Sequence, residues 1–392
     1  MPRVFSSLNR KLFWLIAGFL IAALLIALGL FYGPNSEKPI ATEARFSGST
    51  SCGDCHDNIY SDYMLSGHPL KIQKIDRGAP SYPSGTSPGV PAPPAGMDWS
   101  DISYVIGGYG WKARFMDHEG YILTGERDRQ FNLANDELKL PAGWTGYDPE
   151  SAPRKPYTCG ACHTTGWSET GPDGPHQDGL EGIYGTWQEA GVTCEACHGP
   201  GAAHAVKPKQ AKLTTKPNCM ACHVRGDVEK IDSDDGLIKH HEQYEELLAS
   251  PHRAVGCLAC HDPHKSTKYN LGGVKGQQTT CVRCHANEGK AVLMADVHRD
   301  CTNCHMPFTG KSAFAIKIAH KGGEVPRGDI RDHLFRIKTD PDWNMFTDDG
   351  KFVRIDKQGR AYLSLDYACL GCHVTKDKEW AARIAPSIHA NQ

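Results

Sequence analysis

The apolar positions of the chain include a single long run, which lies near the beginning. Residues 13–32 read FWLIAGFLIAALLIALGLFY and carry no charge, which is the length of apolar sequence that a membrane-spanning helix requires. Basic residues precede the run, so we expect a membrane anchor with residues 1–12 in the cytoplasm and the remainder of the chain outside. A cleaved signal peptide is the alternative, but its apolar region would be shorter, and residues 27–29 (ALG) make a poor cleavage site.

After this run the apolar residues occur only in short segments. Residues 33–50 are polar and are predicted to form a tether. Apolar and polar positions alternate between glycines in residues 99–125, which predicts β-hairpins, and residues 352–366 predict a further hairpin about a Lys-Gln-Gly turn. The clearest helical patterns are short, at 239–250 (KHHEQYEELLAS) and 289–298 (GKAVLMADVH).

The composition does not supply an ordinary apolar core. Only 40% of the residues are hydrophobic, the mean hydropathy is -0.46, and there are 41 glycines and 25 prolines. Such a chain needs a buried prosthetic group or cross-links to become ordered. The formal net charge of -2 gives no polycationic face, so nucleic acid is not an expected partner.

The 16 cysteines indicate the chemistry, because every one belongs to a Cys-x-x-Cys pair that is followed at once by histidine. The pairs are Cys52 and Cys55, Cys159 and Cys162, Cys194 and Cys197, Cys219 and Cys222, Cys257 and Cys260, Cys281 and Cys284, Cys301 and Cys304, and Cys369 and Cys372. Neither a zinc site nor a disulfide requires histidine at the fifth position. A c-type haem does, because both cysteines form thioethers with the porphyrin and the next imidazole binds the iron.

The sequence therefore predicts eight covalently bound haem c groups and an electron-transfer protein whose haems are attached outside the cytoplasmic membrane. The proximal iron ligands would be His56, His163, His198, His223, His261, His285, His305 and His373. The haem propionates would add up to roughly sixteen negative charges, so redox partner proteins are expected to be basic or to dock through positive patches.

These observations predict a multihaem cytochrome c fold: mainly short α-helices and irregular coil around a haem stack, with small β-hairpin inserts and one N-terminal transmembrane helix. Residues 51–158 are expected to carry haem 1, a Pro/Gly-rich loop at 78–96 and a β-hairpin insert. Residues 159–310 would hold a cluster of six haems. Residues 311–392 would form a C-terminal segment with a β-hairpin and haem 8.

Twelve histidines remain after the eight proximal ones, which allows a second histidine on every iron. Histidines close to a haem motif or flanked by apolar residues are the candidates for the sixth ligand: His68, His204, His241, His252, His264, His298, His320 and His333. His240 and His241 are predicted to begin a helix, where their directions differ by about 100 degrees, so at most one of them would face a given iron; His241 is favoured and His240 remains the alternative. His118, His176 and His389 are expected to be surface or packing residues, and methionine ligation is a minor alternative.

The segments YTCGACHTTGW (157–167), GVTCEACHGPGAAH (191–204), CLACHDPH (257–264) and CTNCHMP (301–307) resemble the periplasmic multihaem c-type cytochromes. That group includes the nitrifier tetrahaem cytochrome, hydroxylamine oxidoreductase and octahaem tetrathionate reductase, and the resemblance implies haems stacked in parallel and perpendicular pairs. The sequence differs from the enzymes of that group in the residues that take part in catalysis. No motif ends in lysine, as the active haem of ammonia-forming nitrite reductases does. No residue here can be matched to the cross-linked tyrosine or the active-haem lysine of the other enzymes.

Two functions are expected from these features. The first is an electron relay through bis-histidine haems between the membrane and an extracytoplasmic acceptor, with the protein held in the cytoplasmic membrane and its haem domain on the periplasmic side. Its donor would be the quinol pool or a membrane oxidoreductase complex, and Asp54, Asp57 and Lys71 are polar residues near haem 1 in sequence. The alternative is a reductase or oxidase of a small nitrogen or sulfur oxyanion at one five-coordinate haem, where Lys112 and Arg114 would supply positive charge.

Overall fold

The computed structural model describes residues 45–213, 215, 217–271, 276–288 and 300–389. The predicted anchor at 13–32, the predicted helix at 289–298 and the candidate ligand His298 lie outside these residues. Among the helices of the described residues, none is both long and apolar enough to cross a membrane. The chain from Phe46 onward forms one compact unit.

The insert between the first two cysteine motifs folds as an antiparallel sheet of seven strands, which is larger than the small hairpins expected from the sequence. The strands are β1 (Ile72–Lys74), β2 (Ile102–Gly107), β3 (Lys112–Asp117), β4 (Ile122–Leu123), β5 (Gly125–Asn132), β6 (Gly143–Tyr147) and β7 (Arg154–Lys155). Strands β1, β2, β3, β4 and β7 are neighbours in that order, and β5 pairs with both β3 and β6. The alternating pattern of 99–125 corresponds to β2, β3 and β4.

Both faces of this sheet are covered, which explains how a chain with few apolar residues maintains it. Successive residues of a strand point to opposite faces. Accordingly, Tyr104 packs with Ile183 on one face, whereas its neighbour Val105 packs with Phe115 and with Val90 of the Pro/Gly-rich loop on the other. All five side chains are buried, so the loop and the segment near residue 183 act as the two outer layers.

Outside the sheet the structure consists of short elements joined by turns. The helices are α1 (Ser49–Gly53), α2 (Asp57–Met64), α3 (Gly160–His163), α4 (Cys194–His198), α5 (Ala202–Val206), α6 (Gln243–Leu248), α7 (Thr302–His305) and α8 (Lys378–Ile384). The remaining strands are β8 (Thr164–Thr165), β9 (Ser168–Glu169), β10 (Gly185–Thr186), β11 (Glu189–Ala190), β12 (Ser233–Asp234), β13 (Leu237–Lys239), β14 (Gly310–Lys311), β15 (Ile316–His320) and β16 (Gly323–Arg327). The fold is therefore a mixture of short helices and sheet, with a further apolar cluster around Ile238, Leu334 and Leu363.

Several local predictions differ from the structure. The helix predicted at 239–250 is confined to α6, and His240 and His241 lie in a turn before it. His241 has a φ of 75°, in the left-handed region that residues other than glycine rarely adopt. The helical argument that ranked His241 above His240 was therefore wrong. Within 352–366 the expected turn forms, with the Asp356 N–H donating to the Arg360 carbonyl, but strand pairing there is limited to isolated bridges.

Candidate haem sites

Each Cys-x-x-Cys-His motif folds as a short helical turn. The backbone N–H of the histidine donates to the carbonyl of the first cysteine, for example from His56 to Cys52 at 2.9 Å and from His373 to Cys369 at 3.0 Å. A bond between residues four apart places the first, fourth and fifth positions of the motif on one side of the turn. All 16 cysteines are free thiols, so no motif forms a disulfide in this structure, and none of them is fully buried.

Six of the eight motif histidines face a second histidine from a distant part of the chain. The pairs, with the separations of their ring centres, are His56 and His204 (6.5 Å), His198 and His264 (6.3 Å), His223 and His68 (6.3 Å), His261 and His333 (6.2 Å), His285 and His252 (5.9 Å), and His305 and His389 (6.0 Å). Two imidazoles on opposite sides of one metal ion have ring centres roughly 6 Å apart, given metal–nitrogen bonds of about 2 Å. These residues therefore fit an iron atom between the members of each pair.

Hydrogen bonds orient several of these rings. His204 Nδ1 lies 2.8 Å from the Ala211 carbonyl, and His305 Nδ1 lies 2.7 Å from the Phe335 carbonyl. A carbonyl oxygen can only accept, so Nδ1 carries the proton and Nε2 remains available to a metal. This arrangement is the usual outer support of a histidine that binds a metal ion.

The sequence analysis named five of the six distant partners, namely His68, His204, His252, His264 and His333. It missed His389, which it regarded as a terminal residue without a role. His389 follows the eighth motif in sequence, but its place near the end of the chain was the reason for setting it aside. Only the packing of the segment after α8 brings its ring to His305.

Two other candidates face no motif histidine within the described part of the chain. His241 lies against His240, with ring centres 4.6 Å apart, and besides burial the charges of the motif histidines His223 and His163 contribute to lowering its pKa, so His241 lies in the neighbourhood of both. His320 ends β15, and the N–H of the next residue, Lys321, donates to the carbonyl of Val374 beside His373. His320 therefore lies at the eighth motif, whose histidine has the ring of Trp380 4.9 Å away.

Contacts between cysteines of different motifs give the order of the motifs in space. The thiols lie close enough to influence one another's pKa strongly in four pairs: Cys52 and Cys194, Cys162 and Cys222, Cys219 and Cys257, and Cys281 and Cys301. Weaker electrostatic proximity links Cys197 to Cys219, Cys260 to Cys284 and Cys304 to Cys369. Numbered along the chain, the motifs form the series 1–3–4–5–6–7–8, and motif 2 branches from motif 4.

Motif 2 is unlike the six paired motifs, because among the described residues no second histidine ring faces its histidine, whereas two cations and, in the wider neighbourhood, His241 act on it. Burial, together with the positive charges of Lys71 and Arg114, lowers the pKa of His163 to about 4. The positive charge of Lys71 also contributes to lowering the pKa of His223 and the pKa of His241. Lys71 was expected near haem 1 from its place in the sequence, whereas the structure places it with motif 2.

Strand β3 supplies the other cations of this cluster. Residues two apart in a strand point to the same face, so Lys112 and Arg114 project together. Burial lowers the pKa of Lys112 to about 7, with a further contribution from the charge of Arg114. Burial, together with the positive charge of Lys112, lowers the pKa of His240 to about 2. Among the described residues, none of Lys71, Lys112 and Arg114 forms a salt bridge.

Neutral groups hold these cations in position. The Arg114 guanidinium lies 3.6 Å above the centre of the Tyr147 ring, and its Nε donates to Gln130 Oε1 at 2.9 Å. Gln130 in turn donates to Asn132 Oδ1 at 2.8 Å. Lys112 Nζ donates to the Ser312 carbonyl. A buried positive charge that is not neutralised is costly, so an anion bound here would be stabilised strongly.

The loop that receives Lys112 is held by a carboxylate. Asp329 accepts hydrogen bonds from the backbone N–H groups of Ser312, Ala313 and Phe314 at 2.6, 2.8 and 2.9 Å. Because its oxygens are engaged in this way, Asp329 fixes the loop.

Profiles of two families match parts of the chain. "Doubled CXXCH motif" matches residues 250–290, and "Cytochrome c7 and related cytochrome c" matches residues 147–225. A curated protein, the multiheme cytochrome MtrA of Shewanella baltica (strain OS185), is 26% identical over 173 residues, which cover 34% of this chain and 49% of MtrA. The matched region thus spans about half the length of that relative.

Two solved structures match most of the chain. The octaheme sulfite reductase MccA of Wolinella succinogenes superposes with a TM-score of 0.56 at 18% sequence identity, covering 88% of this chain and 71% of MccA. The outer cell wall cytochrome OcwA gives a TM-score of 0.49 at 16% identity, covering 87% of this chain and 86% of OcwA. At such identities the likeness to MccA concerns the fold alone.

Proposed function

We propose that this multihaem c-type cytochrome carries eight haems and reduces or oxidises a small sulfur or nitrogen oxyanion at haem 2. The premise is that the chain binds haem c covalently through its Cys-x-x-Cys-His motifs. Haem 2 is the one held by Cys159, Cys162 and His163. The other haems would pass electrons to or from it. The oxyanion reductase or oxidase is thus preferred to the pure relay that sequence analysis placed first.

The environment of His163 carries this proposal. Six motif histidines face a second imidazole, whereas His163 has Lys71 and Arg114 near it and Lys112 beside Arg114 on β3. A haem with histidine on both sides has no free position for a substrate, whereas a haem held by Cys159, Cys162 and His163 alone would supply an iron that can bind one. The three cations offer an anion the charge-assisted hydrogen bonds that bind an oxyanion and offset charge that develops on it.

The order of the cysteine motifs in space gives the route that electrons would take. The cysteine contacts place motif 2 as a branch from motif 4, which lies inside the series and can receive electrons from either end. We assign His204, His264, His68, His333, His252 and His389 as sixth ligands of haems 1, 3, 4, 5, 6 and 7. The sixth ligand of haem 8 would be His320, which lies beside its motif, or His298.

The substrate class rests on charge and size. Three cations that form no salt bridge among the described residues, although the Asp329 charge acts on Lys112, suit a small anion with several oxygens and disfavour a neutral substrate such as hydroxylamine. The likeness in fold to a protein named an octaheme sulfite reductase supports including sulfite among the substrates tested. Nitrite is the nitrogen counterpart.

The membrane placement is part of the same proposal. The apolar run at 13–32 would anchor the chain in the cytoplasmic membrane, with residues 1–12 inside and the haem unit on the periplasmic side. Quinol or a membrane oxidoreductase complex would exchange electrons at haem 1, which stands at one end of the series.

The experiment is turnover of sulfite and of nitrite by the haem-loaded full chain, with a reduced viologen dye as electron donor. We expect oxyanion-dependent dye oxidation that is strongly reduced in Lys112→Gln and Arg114→Gln. A matched control is Lys351→Gln, which changes an exposed lysine. Absence of turnover, together with no change in the haem spectrum on adding either anion, would leave the relay as the function.

A further inference from the structure

A lysine-rich turn follows α5 and supports the histidine that faces His56. The N–H groups of Gln210 and Ala211 donate to the Lys207 carbonyl at 3.0 and 2.9 Å, which closes the turn. The Ala211 carbonyl then accepts a hydrogen bond from His204 Nδ1 at 2.8 Å. The turn is therefore fixed next to the site of haem 1, at one end of the motif series.

This turn is basic and has no acidic neighbours in sequence. Residues 196–226 contain no Asp or Glu. Lys207, Lys209 and Lys212 are exposed, and the structure shows no ion pair for any of them within its described residues. Val206 lies directly beside them and is 77% exposed, the highest value among the large apolar side chains described. The surface thus combines three free positive charges with one projecting apolar group.

The chain enters the compact unit beside this turn. The Glu195 carboxylate accepts hydrogen bonds from the N–H groups of Ser47 and Gly48 at 2.9 and 2.8 Å. It also accepts one from Gly201, which immediately precedes α5, at 2.6 Å. In sequence, only residues 33–45 separate this entry point from the apolar run at 13–32.

We propose that the turn Val206–Lys212 binds the anionic headgroups of a phospholipid membrane and so positions haem 1 at the membrane surface. Each lysine at an anionic membrane surface adds about fivefold to binding, and an apolar side chain strengthens it by entering the interface. An acidic redox protein would suit the lysines, but it would explain neither the exposed Val206 nor the entry of the chain at this point. The proposal does not depend on the chemistry at haem 2.

The test is lysine footprinting of the haem-loaded full chain in lipid nanodiscs. One set of discs contains phosphatidylcholine alone, and the other contains about a third phosphatidylglycerol to supply negative charge. An amine-reactive label is quantified at each lysine by mass spectrometry. We expect labelling of Lys207, Lys209 and Lys212 to fall about fivefold or more in the anionic discs and to recover in high salt, with Lys351 and Lys357 unchanged.

A matched variant makes the test specific. Lys207→Gln combined with Lys209→Gln should abolish most of the protection of Lys212, while an unchanged haem spectrum shows that the protein still folds and carries haem. Equal labelling in the two kinds of disc would overturn the proposal and leave an acidic protein or plain solvent as the partner of this turn. Failure of the full chain to associate with either disc would also overturn it.

Discussion

His389 lies against His305, with ring centres 6.0 Å apart and ring planes inclined by 33°. The two residues come from opposite sides of the eighth cysteine motif in sequence. Their contact means that the segment after α8 closes the site of haem 7. The same separation recurs in five other histidine pairs, which is why we regard His389 as a ligand.

Replacing His389 with alanine is expected to make haem 7 five-coordinate. The covalent attachment through Cys301 and Cys304 does not involve His389, so haem content should be unchanged. Electron paramagnetic resonance of the oxidised protein should show one additional high-spin haem per chain. The control is His118→Ala, at an exposed histidine that faces no motif, which should leave the spectrum unaltered.

Loosening the support of Arg114 is expected to weaken oxyanion binding. Gln130→Leu removes the acceptor of the Arg114 Nε hydrogen bond while leaving every cation present. We expect KM for the oxyanion to rise severalfold with a smaller change in kcat, whereas Arg114→Gln should lower kcat/KM by about a hundredfold. If Gln130→Leu lowers kcat alone, Gln130 does not act by positioning Arg114.

Oxyanion binding should weaken as pH rises through about 7. Burial lowers the pKa of Lys112 to about 7, so this lysine is charged below that pH and neutral above it. Nitrite is the suitable probe because it remains a monoanion throughout this range. KM for nitrite should rise between pH 6 and pH 8 (about two units around the Lys112 pKa), and Lys112→Arg, which stays charged, should flatten the profile. A profile that Lys112→Arg leaves unchanged would assign the dependence to another group.

Glu195 is expected to be important for stability. Its carboxylate accepts N–H groups from Ser47, Gly48 and Gly201, and the residue is only 4% exposed. Glu195→Ala leaves these donors without their acceptor and should destabilise the protein by about 2–4 kcal/mol. Thermal unfolding of haem-loaded protein measures the loss, with exposed Glu169→Ala as the control; a shift no larger than that of the control would contradict this role.

The haem attachment sites could be predicted from sequence because the chemistry of each is confined to five consecutive residues. The sixth ligands depend on contacts between distant segments. Sequence context nevertheless selected His204, whose ring faces His56, because the Gly-Pro-Gly turn after α4 frees it from the helix that holds His198. It set His389 aside as a terminal residue, although the structure brings its ring to His305.

The cation cluster was only partly accessible to sequence analysis. Lys112 and Arg114 were noted as cations of the predicted hairpin insert that could serve an oxyanion. Their meeting with Lys71 at motif 2 depends on how the seven-stranded sheet packs beside that motif. Local pattern gives the strand but cannot give its neighbour in space.

The most direct test of the central claim is the amount of carbon monoxide that the reduced, haem-loaded full chain binds. Carbon monoxide binds only a haem iron with an open position. We expect one carbon monoxide per chain, with a C–O stretching frequency that shifts in Arg114→Gln because the nearby positive charge is removed. No binding, or binding whose frequency is the same in Arg114→Gln, would contradict an oxyanion site at haem 2.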